Sequence, residues 1–376
     1  MDIYEKKLGF GTMRLPLSDP KDETKVDIKT YQQMADAFIK EGFVYFDTAK
    51  CYHINQCEPA FRLAVADRYP RDSYSVTGKL SLFMMKKAEE MEGFFESQLK
   101  DLGISYFDIY LLHCLSEANA CQVEEWGVFS FLVALKEKGL TKHIGFSYHG
   151  RAELLEETLK VHPEVEYVQL QLNYLDWDSE SVQSEKCLKI CQKYGKKVLV
   201  MEPVKGGALV NIPEEAEKMF KDYDSHASTA SWAIRFAASQ KNVVMVLSGM
   251  SDPLQMADNM SYMKDFKPLS EAEMDCIKKA AKIIKSSIAI PCTACRYCIE
   301  GCPKDIPIPD YFSIYNNLKR FGDKQKLVAG TYYENLSEVH GKASQCIKCG
   351  KCEKICPQHL KVREYLEKVV EEVEHM

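Results

Sequence analysis

The chain has 376 residues, of which 46% are hydrophobic and 28% are charged, and its net charge at pH 7 is −6. Its length exceeds one average domain and fits a large domain with a smaller one attached. The acidic balance, without a basic stripe, argues against nucleic-acid binding. No apolar run reaches the roughly 18 residues of a membrane span. The charged segment MDIYEKKLGF lacks the apolar core of a signal peptide, so we expect a cytoplasmic protein.

Strand-like and helix-like segments alternate over most of the chain. Strands are predicted at 8–15, 42–46, Tyr74–Gly78, Phe107–Leu112, His143–Phe146, Tyr167–Leu170, Lys197–Val200 and Val243–Leu247. Helices are predicted at Val26–Lys40, Glu58–Ala66, Met85–Leu99, Val128–Lys138, Ala152–Leu159, Ser181–Tyr194 and Ser228–Ser239. This alternation predicts an α/β protein, a (β/α)8 TIM barrel over residues 1–268. Residues 269–376 then form a second domain. An open doubly wound sheet is the alternative, and it is disfavoured because reactive residues follow so many strands.

Three of these strands end in residues suited to chemistry. The apolar run GFVYF leads into Asp47 and Tyr52, YSVTGK closes on Lys79, and FDIYLLH closes on His113. An acid and a tyrosine just past a buried strand are typical of the carboxyl-terminal mouth of a parallel barrel. One such residue alone is more often a cap or a loop ligand, whereas four on successive strands indicate a catalytic site.

In this order the four residues resemble the catalytic tetrad of the aldo-keto reductases, over roughly the first 265 residues. The resemblance implies that Tyr52 is the general acid that protonates a carbonyl oxygen as hydride reaches the carbon. A free phenol, with a pKa near 10, is a weak acid at neutral pH. The ammonium of Lys79 would favour the phenolate, Asp47 would hold that ammonium charged, and His113 would orient the substrate oxygen.

The same resemblance implies a nicotinamide site. Ser147 and Gln169 match positions that hold the carboxamide, although Tyr148 stands where many relatives have Asn. Tyr174 would stack on the ring. In EPVKGGAL, the pyrophosphate would meet the amides that follow the seventh strand. The residues implied in that loop are Lys205, Gly206 and Gly207.

After the eighth strand, SGMSDPLQMADNM opens a helix whose N-terminus suits a phosphate. The implied nucleotide contacts in this segment are Ser248, Gly249, Ser251, Gln255 and Asn259. Asp252 lies where a 2′-phosphate would require a cation, which favours NADH slightly over NADPH, with Lys205 as the opposing feature.

Eight of the fifteen cysteines lie in two runs near the end of the chain. Both runs have the C-x₂-C-x₂-C-x₃-C-P spacing of bacterial ferredoxins with two 4Fe–4S clusters. The cysteines of the first run are Cys292, Cys295, Cys298 and Cys302, and those of the second are Cys346, Cys349, Cys352 and Cys356. In this pattern the fourth cysteine ligates the other cluster, so Cys302 is predicted to join the second run and Cys356 the first.

Zinc and disulfides are the alternatives for these cysteines. Zinc sites favour paired CxxC knuckles, and disulfides require an oxidising compartment. The long segment between the two runs includes two predicted helices, YFSIYNNLKRF and Tyr332–Val339. The tail therefore resembles the all-helical ferredoxin-like modules that are fused to reductases. Four lysines in or beside the two runs are interpreted as a solvated face in preference to a docking patch: Lys304, Lys348, Lys351 and Lys354.

The two halves suggest three functions. Nicotinamide moves two electrons as hydride while each cluster moves one, so direct exchange calls for a converter such as a flavin. In the first possible function, the barrel reduces a small carbonyl compound, or oxidises an alcohol, with NAD(P)H. The clusters then exchange electrons with a partner protein. In the second, the clusters deliver electrons to a substrate in the barrel without nicotinamide. In the third, the cluster module is a redox sensor or docking domain.

Overall fold

A computed structural model describes residues 5–179, 182–321 and 326–376 of the chain. Eight parallel strands close into a barrel in sequential order, with β8 paired to β1. The strands are β1 (Leu8–Gly11), β2 (Tyr45–Asp47), β3 (Ser75–Leu80), β4 (Phe107–Leu115), β5 (Thr141–Tyr148), β6 (Tyr167–Gln171), β7 (Lys197–Met201) and β8 (Val243–Gly249). The predicted (β/α)8 barrel is therefore confirmed.

The helices follow the strands in alternation and then continue through the tail. They are α1 (Ile28–Lys40), α2 (Cys57–Phe61), α3 (Met91–Leu102), α4 (Ala120–Glu125), α5 (Val128–Glu137), α6 (Ala152–Val161), α7 (Ser184–Lys193), α8 (Glu214–Tyr223), α9 (Thr229–Ala238), α10 (Pro253–Met263), α11 (Glu271–Ser287), α12 (Tyr297–Glu300), α13 (Ile308–Phe321), α14 (Lys326–Val339), α15 (Lys351–Ile355) and α16 (Val362–Val369). Over the described ranges, none of them combines the length and the apolar character needed to cross a membrane.

The interior of the barrel is filled by alternate residues of its strands. Its core comprises Tyr45, Ile109, Leu111, Tyr167, Leu199, Met245 and Leu247. Because successive side chains of a strand point to opposite faces, the residue two positions later points inward again, one layer nearer the carboxyl ends. That rule places Asp47 above Tyr45, His113 above Leu111 and Gln169 above Tyr167. The polar site is thus the layer directly above the apolar core.

Several helix boundaries differ from the prediction for local reasons. Helix α1 begins at Ile28 because the Asp27 side chain caps it, accepting a hydrogen bond from Thr30 N. The helix predicted at Met85–Leu99 is wrong at both ends: α3 begins at Met91, after a short turn, and runs to Leu102. It stops where Gly103 adopts a left-handed φ of 68°. The prediction missed α4 and α8. The first residue of the helix predicted from Ser181 lies outside the described residues.

The chain forms two compact units. The first contains residues 1–173, 183–203 and 230–270, and so all eight strands. The second contains residues 271–376 together with two segments from within the barrel sequence, Tyr174–Val182 and Val204–Thr229. Its core includes Ile306, Tyr311, Phe312, Leu360 and Leu366, which are all buried. These two segments follow β6 and β7, and a single boundary at residue 268 does not describe them.

Candidate functional site

The polar layer at the carboxyl end of the barrel is built around a buried lysine. The Lys79 ammonium donates to Asp47 Oδ1 at 2.6 Å and to the carbonyl oxygen of Thr48 at 3.0 Å. It also lies 3.3 Å from the Tyr52 hydroxyl. Burial raises the pKa of Asp47, and the charge and hydrogen bond of Lys79 and a hydrogen bond from Gln169 oppose that rise. The structure therefore brings together three of the four predicted catalytic residues through direct contacts.

His113 lies beside these three residues. Its ring stands edge-on to that of Tyr52, with centroids 6.1 Å apart, and its Nδ1 is 2.8 Å from Ser81 Oγ. Burial, and then the charges of Lys79 and His149, lower the pKa of His113 well below its ordinary value. The imidazole is therefore neutral at physiological pH.

A bulge in β4 sets the position of His113. The pairing of β4 with β5 shifts register between Leu112 and Leu115, and Cys114 adopts a left-handed φ of 59°. The Cys114 N–H donates to Ser147 Oγ at 2.7 Å, and Asn119 Nδ2 donates to the Cys114 carbonyl oxygen at 3.1 Å. Bulges of this kind redirect side chains next to active sites. Ser147, predicted as a carboxamide ligand, thus also holds the backbone beside His113.

Gln169 faces the same polar layer. Its Nε2 donates to Asp47 Oδ2 at 3.1 Å, whereas its Oε1 is buried and has no hydrogen-bond partner among the residues that the structure describes. A buried amide oxygen without a donor is costly, and a bound ligand that carries an N–H group would satisfy it. Tyr148, at the departure from the family pattern, is buried and donates through its hydroxyl to the carbonyl oxygen of Arg151.

The predicted nucleotide segment after β8 is held mainly by its own side chains. Asn259 Nδ2 donates to Ser248 Oγ at 2.8 Å, and Gln255 Oε1 accepts from the Ser251 N–H at 2.9 Å. Asp252 caps α10 and accepts from the N–H groups of Leu254 and Gln255. The carboxylate thus occupies the helix N-terminus where we predicted a phosphate. Gly249 pairs with Gly11 of β1 at the end of β8.

The predicted pyrophosphate loop and Tyr174 belong to the second unit. The Lys205 ammonium is buried, with hydrogen bonds to Asp176 Oδ1 at 2.6 Å, Asp176 Oδ2 at 2.8 Å and Gln358 Oε1 at 3.3 Å. The Gly207 N–H donates to the carbonyl oxygen of Val204. A Cβ built on Gly206 would lie 2.1 Å from the Thr293 carbonyl oxygen, so its backbone is packed tightly there. These contacts do not support the phosphate role predicted for Lys205, Gly206 and Gly207. Tyr174 packs edge-on against Phe220, with centroids 6.4 Å apart.

The eight tail cysteines line two cavities in the second unit, each with apolar walls. One cavity is lined by Cys292, Cys295, Cys298 and Cys356. The other is lined by Cys302, Cys346, Cys349 and Cys352. Each cavity therefore combines the first three cysteines of one run with the fourth cysteine of the other, and Ile308 lines both.

The backbones of the two runs repeat each other. Ala294 and Lys348 follow the first cysteines by two residues and have φ of 52° and 55°; Arg296 and Gly350 have φ of 66° and 74°. Asp305 and His359, three residues after the fourth cysteines, both have φ of 49°. Left-handed angles are costly for residues other than glycine and persist where a functional arrangement requires them. Across the described ranges, no three His, Cys, Asp or Glu side chains converge as ligands of a single metal ion.

Some residues of the site were not predicted. Ser81 was missed although it follows Lys79 by two residues on the same strand face, a period-two signal that the sequence does contain. The Thr48 carbonyl and the bulge at Cys114 have no such signal, because they depend on the backbone path.

This barrel, with its buried Lys–Asp–Tyr contact, defines a chain of the aldo-keto reductase class that carries a cysteine-rich helical tail. The model of the aldo/keto reductase family matches residues 7–282, and the chain belongs to that family. The model of the 4Fe-4S dicluster domain matches residues 291–360, in the tail. The predicted family and its ferredoxin-type fusion are therefore confirmed, and the chain is an oxidoreductase.

Curated relatives match part of the chain. An uncharacterized oxidoreductase of Schizosaccharomyces pombe is 24% identical over 271 residues, which are 69% of this chain and 82% of that protein. The (1S)-1,7-diacetoxy-luvungin A aldo-keto reductase of Citrus sinensis is 30% identical over 43% of this chain and 53% of that enzyme. The matched region is thus about half of the second relative.

Solved structures agree on the fold. The aldo/keto reductase of Klebsiella pneumoniae in complex with NADP and acetate superposes with a TM-score of 0.59 at 17% identity, over 73% of this chain and 90% of that one. At this identity the likeness concerns the barrel architecture alone.

Proposed function

We propose that this chain reduces a small carbonyl compound, or oxidises the corresponding alcohol, with NAD(P)H at Tyr52. The observation that carries the proposal is the Lys79 ammonium bonded to Asp47 and within 3.3 Å of the Tyr52 hydroxyl. A phenol beside a buried ammonium has a partner that stabilises its ionised form, and so loses its proton more readily than a free phenol. Carbonyl reduction requires such a proton donor.

Each residue of the site then has a distinct task. Tyr52 transfers its proton to the substrate oxygen, and Lys79 stabilises the phenolate left behind. Asp47 keeps the ammonium charged in a buried place. With the Ser81 hydroxyl donating to Nδ1, the neutral His113 would carry its proton on Nε2 and donate it to the same substrate oxygen. Bound nicotinamide would supply the hydride.

The polar layer fits a nicotinamide. The unpartnered Oε1 of Gln169 would accept from the carboxamide N–H, and the Ser147 hydroxyl, which accepts from Cys114 N, still has its own proton to donate. Further along, Ser248, Gly249, Ser251, Gln255 and Asn259 remain the proposed nucleotide contacts. The carboxylate of Asp252 at the start of α10 would repel a 2′-phosphate, which favours NADH.

The tail fits two 4Fe–4S clusters. We assign Cys292, Cys295, Cys298 and Cys356 to the first cluster, and Cys302, Cys346, Cys349 and Cys352 to the second. Cysteines grouped four and four around two cavities, on loops with repeated left-handed backbones, support this assignment. The clusters would carry single electrons to or from a partner protein, with a flavin as the converter. Because such clusters belong to reducing compartments, the proposal includes a cytoplasmic location.

One observation favours a second candidate, in which the clusters reduce the barrel's substrate without nicotinamide. Lys205 and Gly206, which the family pattern assigns to pyrophosphate, are engaged inside the second unit. An anaerobic titration with NADH or NADPH tests whether nicotinamide can reduce the clusters directly. Bleaching of the cluster absorbance without added flavin would mean that nicotinamide and clusters share an electron path.

The proposed chemistry is tested by Tyr52→Phe, assayed as NAD(P)H consumption with a panel of small aldehydes and ketones. We expect turnover to fall by about 10²- to 10⁴-fold, the usual contribution of a positioned acid. Nucleotide binding should be retained. Tyr69→Phe, which removes only a peripheral hydrogen bond to Asp36, is the matched control. Undiminished turnover of every substrate by Tyr52→Phe would overturn the proposal.

A further inference from the structure

The turn Lys205–Gly207, which we call the KGG turn, packs against residues that line one of the two cysteine cavities. All three of its residues have left-handed backbones, with φ of 50°, 63° and 94°. A left-handed lysine is costly unless its surroundings compensate. Here the compensation is visible, because the Lys205 side chain is 2% exposed and ion-paired with Asp176.

The cavity lined by Cys292, Cys295, Cys298 and Cys356, which we call the first cavity, combines residues of both runs. The KGG turn contacts a residue next to Cys292 and a residue near Cys356. Lys205 reaches Gln358, two residues after Cys356, at 3.3 Å. Gly206 packs against the carbonyl oxygen of Thr293, the residue after Cys292, so closely that a side chain would not fit. Both Gln358 and Thr293 line the first cavity. Two independent contacts therefore converge on a single cavity.

The pseudo-repeat shows that this arrangement is specific to one cavity. In the second run, the position equivalent to Thr293 is Ile347, which is 57% exposed, and the position equivalent to Gln358 is Lys304, which is exposed. The backbones of the two runs match, whereas their surroundings differ. The ammonium beside the first cavity, Lys205, is buried, whereas the lysines that line the second cavity, Lys304 and Lys351, are exposed.

We propose that Lys205 is a positioning and charge-compensating residue of the cluster assigned to Cys292, Cys295, Cys298 and Cys356. Uptake of one electron from a reduced flavin or partner protein would add one negative charge to a cluster held by these cysteines and would break no bond. A nearby ammonium in a low-dielectric site stabilises the more negative, reduced form. Asp176 and Gln358 hold the ammonium in place. The two clusters consequently have different reduction potentials, with the first the easier to reduce. This inference rests on the two-cluster assignment of the proposed function.

The test is a redox titration of the full-length holoprotein, with dithionite and mediators, monitored by EPR. In Lys205→Met, the first cluster should become harder to reduce, with a reduced-to-oxidised ratio at fixed potential about tenfold lower. The second cluster should be unchanged, and Lys205→Arg should restore the original value. The matched control is Lys285→Met, which removes the solvent-exposed ion pair with Asp178. It should move neither potential.

Unmoved potentials in Lys205→Met, or an equal shift of both clusters, would overturn the role of Lys205. Where Lys205→Met does not fold or assemble, Lys205→Gln is titrated with the same criteria. The cluster assignment fails separately, if the wild-type protein holds far fewer than about eight iron atoms per chain. An iron count near eight with unmoved potentials refutes only the inference on Lys205.

Discussion

The Lys79 ammonium lies 2.6 Å from Asp47 Oδ1, and both side chains are almost fully buried, at 1% and 5% exposure. Removing one partner of such a pair leaves the other charge buried and uncompensated, which costs about 3–5 kcal/mol. We therefore expect Lys79→Met to lower the free energy of unfolding by that amount, as measured by urea denaturation, and to abolish carbonyl turnover.

Two further variants separate stability from catalysis. The double variant Asp47→Leu/Lys79→Met removes both charges and should recover most of the stability while staying inactive. Lys50→Met breaks a pair of the same length, with Asp101, but at 18% and 35% exposure. Its cost should be about 1 kcal/mol or less. Equal losses for Lys79→Met and Lys50→Met would contradict the buried-pair argument.

The hydrogen bond from Cys114 N to Ser147 Oγ predicts a second effect. In Ser147→Ala, a buried N–H at a strained bulge loses its acceptor, which costs about 1–3 kcal/mol. Because the bulge follows His113 directly, kcat should also fall. Ser147→Thr keeps the hydroxyl and should restore both. The measurement is thermal unfolding together with kcat; a Ser147→Ala protein as stable as the wild type would show that this bond contributes nothing.

The tetrad was predictable because its signals are local. Tyr45 and Asp47 are two residues apart and so lie on the same face of the strand. An apolar run that ends in a charged residue is typical of the carboxyl end of a barrel strand. The cysteine runs were equally local, since their spacing alone indicates the cluster type. For this reason the fold and the family were correctly predicted without any tertiary information, while the ligand and catalytic roles remain predictions.

The environment of Lys205 was not predictable in this way. Its partners Asp176 and Gln358 are 29 and 153 residues away in the sequence. Its segment GG looks like any phosphate-binding turn, and only the folded chain reveals that Thr293 fills the space above Gly206. Helix α8 was missed because the segment EEAEKMFKDY is mostly charged, and its two buried residues, Ala216 and Phe220, are too few to give a clear helical pattern.

A buried acid behind the site predicts a pH-dependent stability. Burial raises the pKa of Glu58 to about 8 from 4.5, against the hydrogen bond from Gln98. Between these values the carboxyl is protonated in the folded chain and ionised in the unfolded one, so folding takes up a proton. The contribution of Glu58 to the free energy of unfolding is therefore fully present below about pH 4.5 and is lost as the pH rises to about 8.

Glu58→Gln should remove this dependence, because an amide resembles the protonated carboxyl at every pH. The variant should match the wild type in unfolding temperature near the acid end of the interval and exceed it near the alkaline end. Glu96→Gln, on the exposed face of α3, should follow the wild type throughout. Parallel curves for Glu58→Gln and the wild type would mean that Glu58 does not titrate in this interval.

The two cavities predict which cysteine substitutions resemble each other. Cys356 lines the cavity of Cys292, Cys295 and Cys298, although it is closer in sequence to the other three. Burial raises the pKa of the Cys356 thiol, and hydrogen bonds from the N–H groups of Leu360, Gln358 and His359 oppose the rise. We expect Cys356→Ser to change the same EPR signal as Cys292→Ser.

Correspondingly, Cys302→Ser should change the same signal as Cys349→Ser, whose cysteine lines the second cavity with it. Iron analysis should show losses of up to about four atoms in each case. Cys276→Ser, in helix α11 outside both runs, should keep the full iron content. If Cys356→Ser grouped with Cys349→Ser instead, each run would hold its own cluster. The pairing by signal also identifies the cluster beside Lys205, because the first cluster is the one whose signal Cys356→Ser alters.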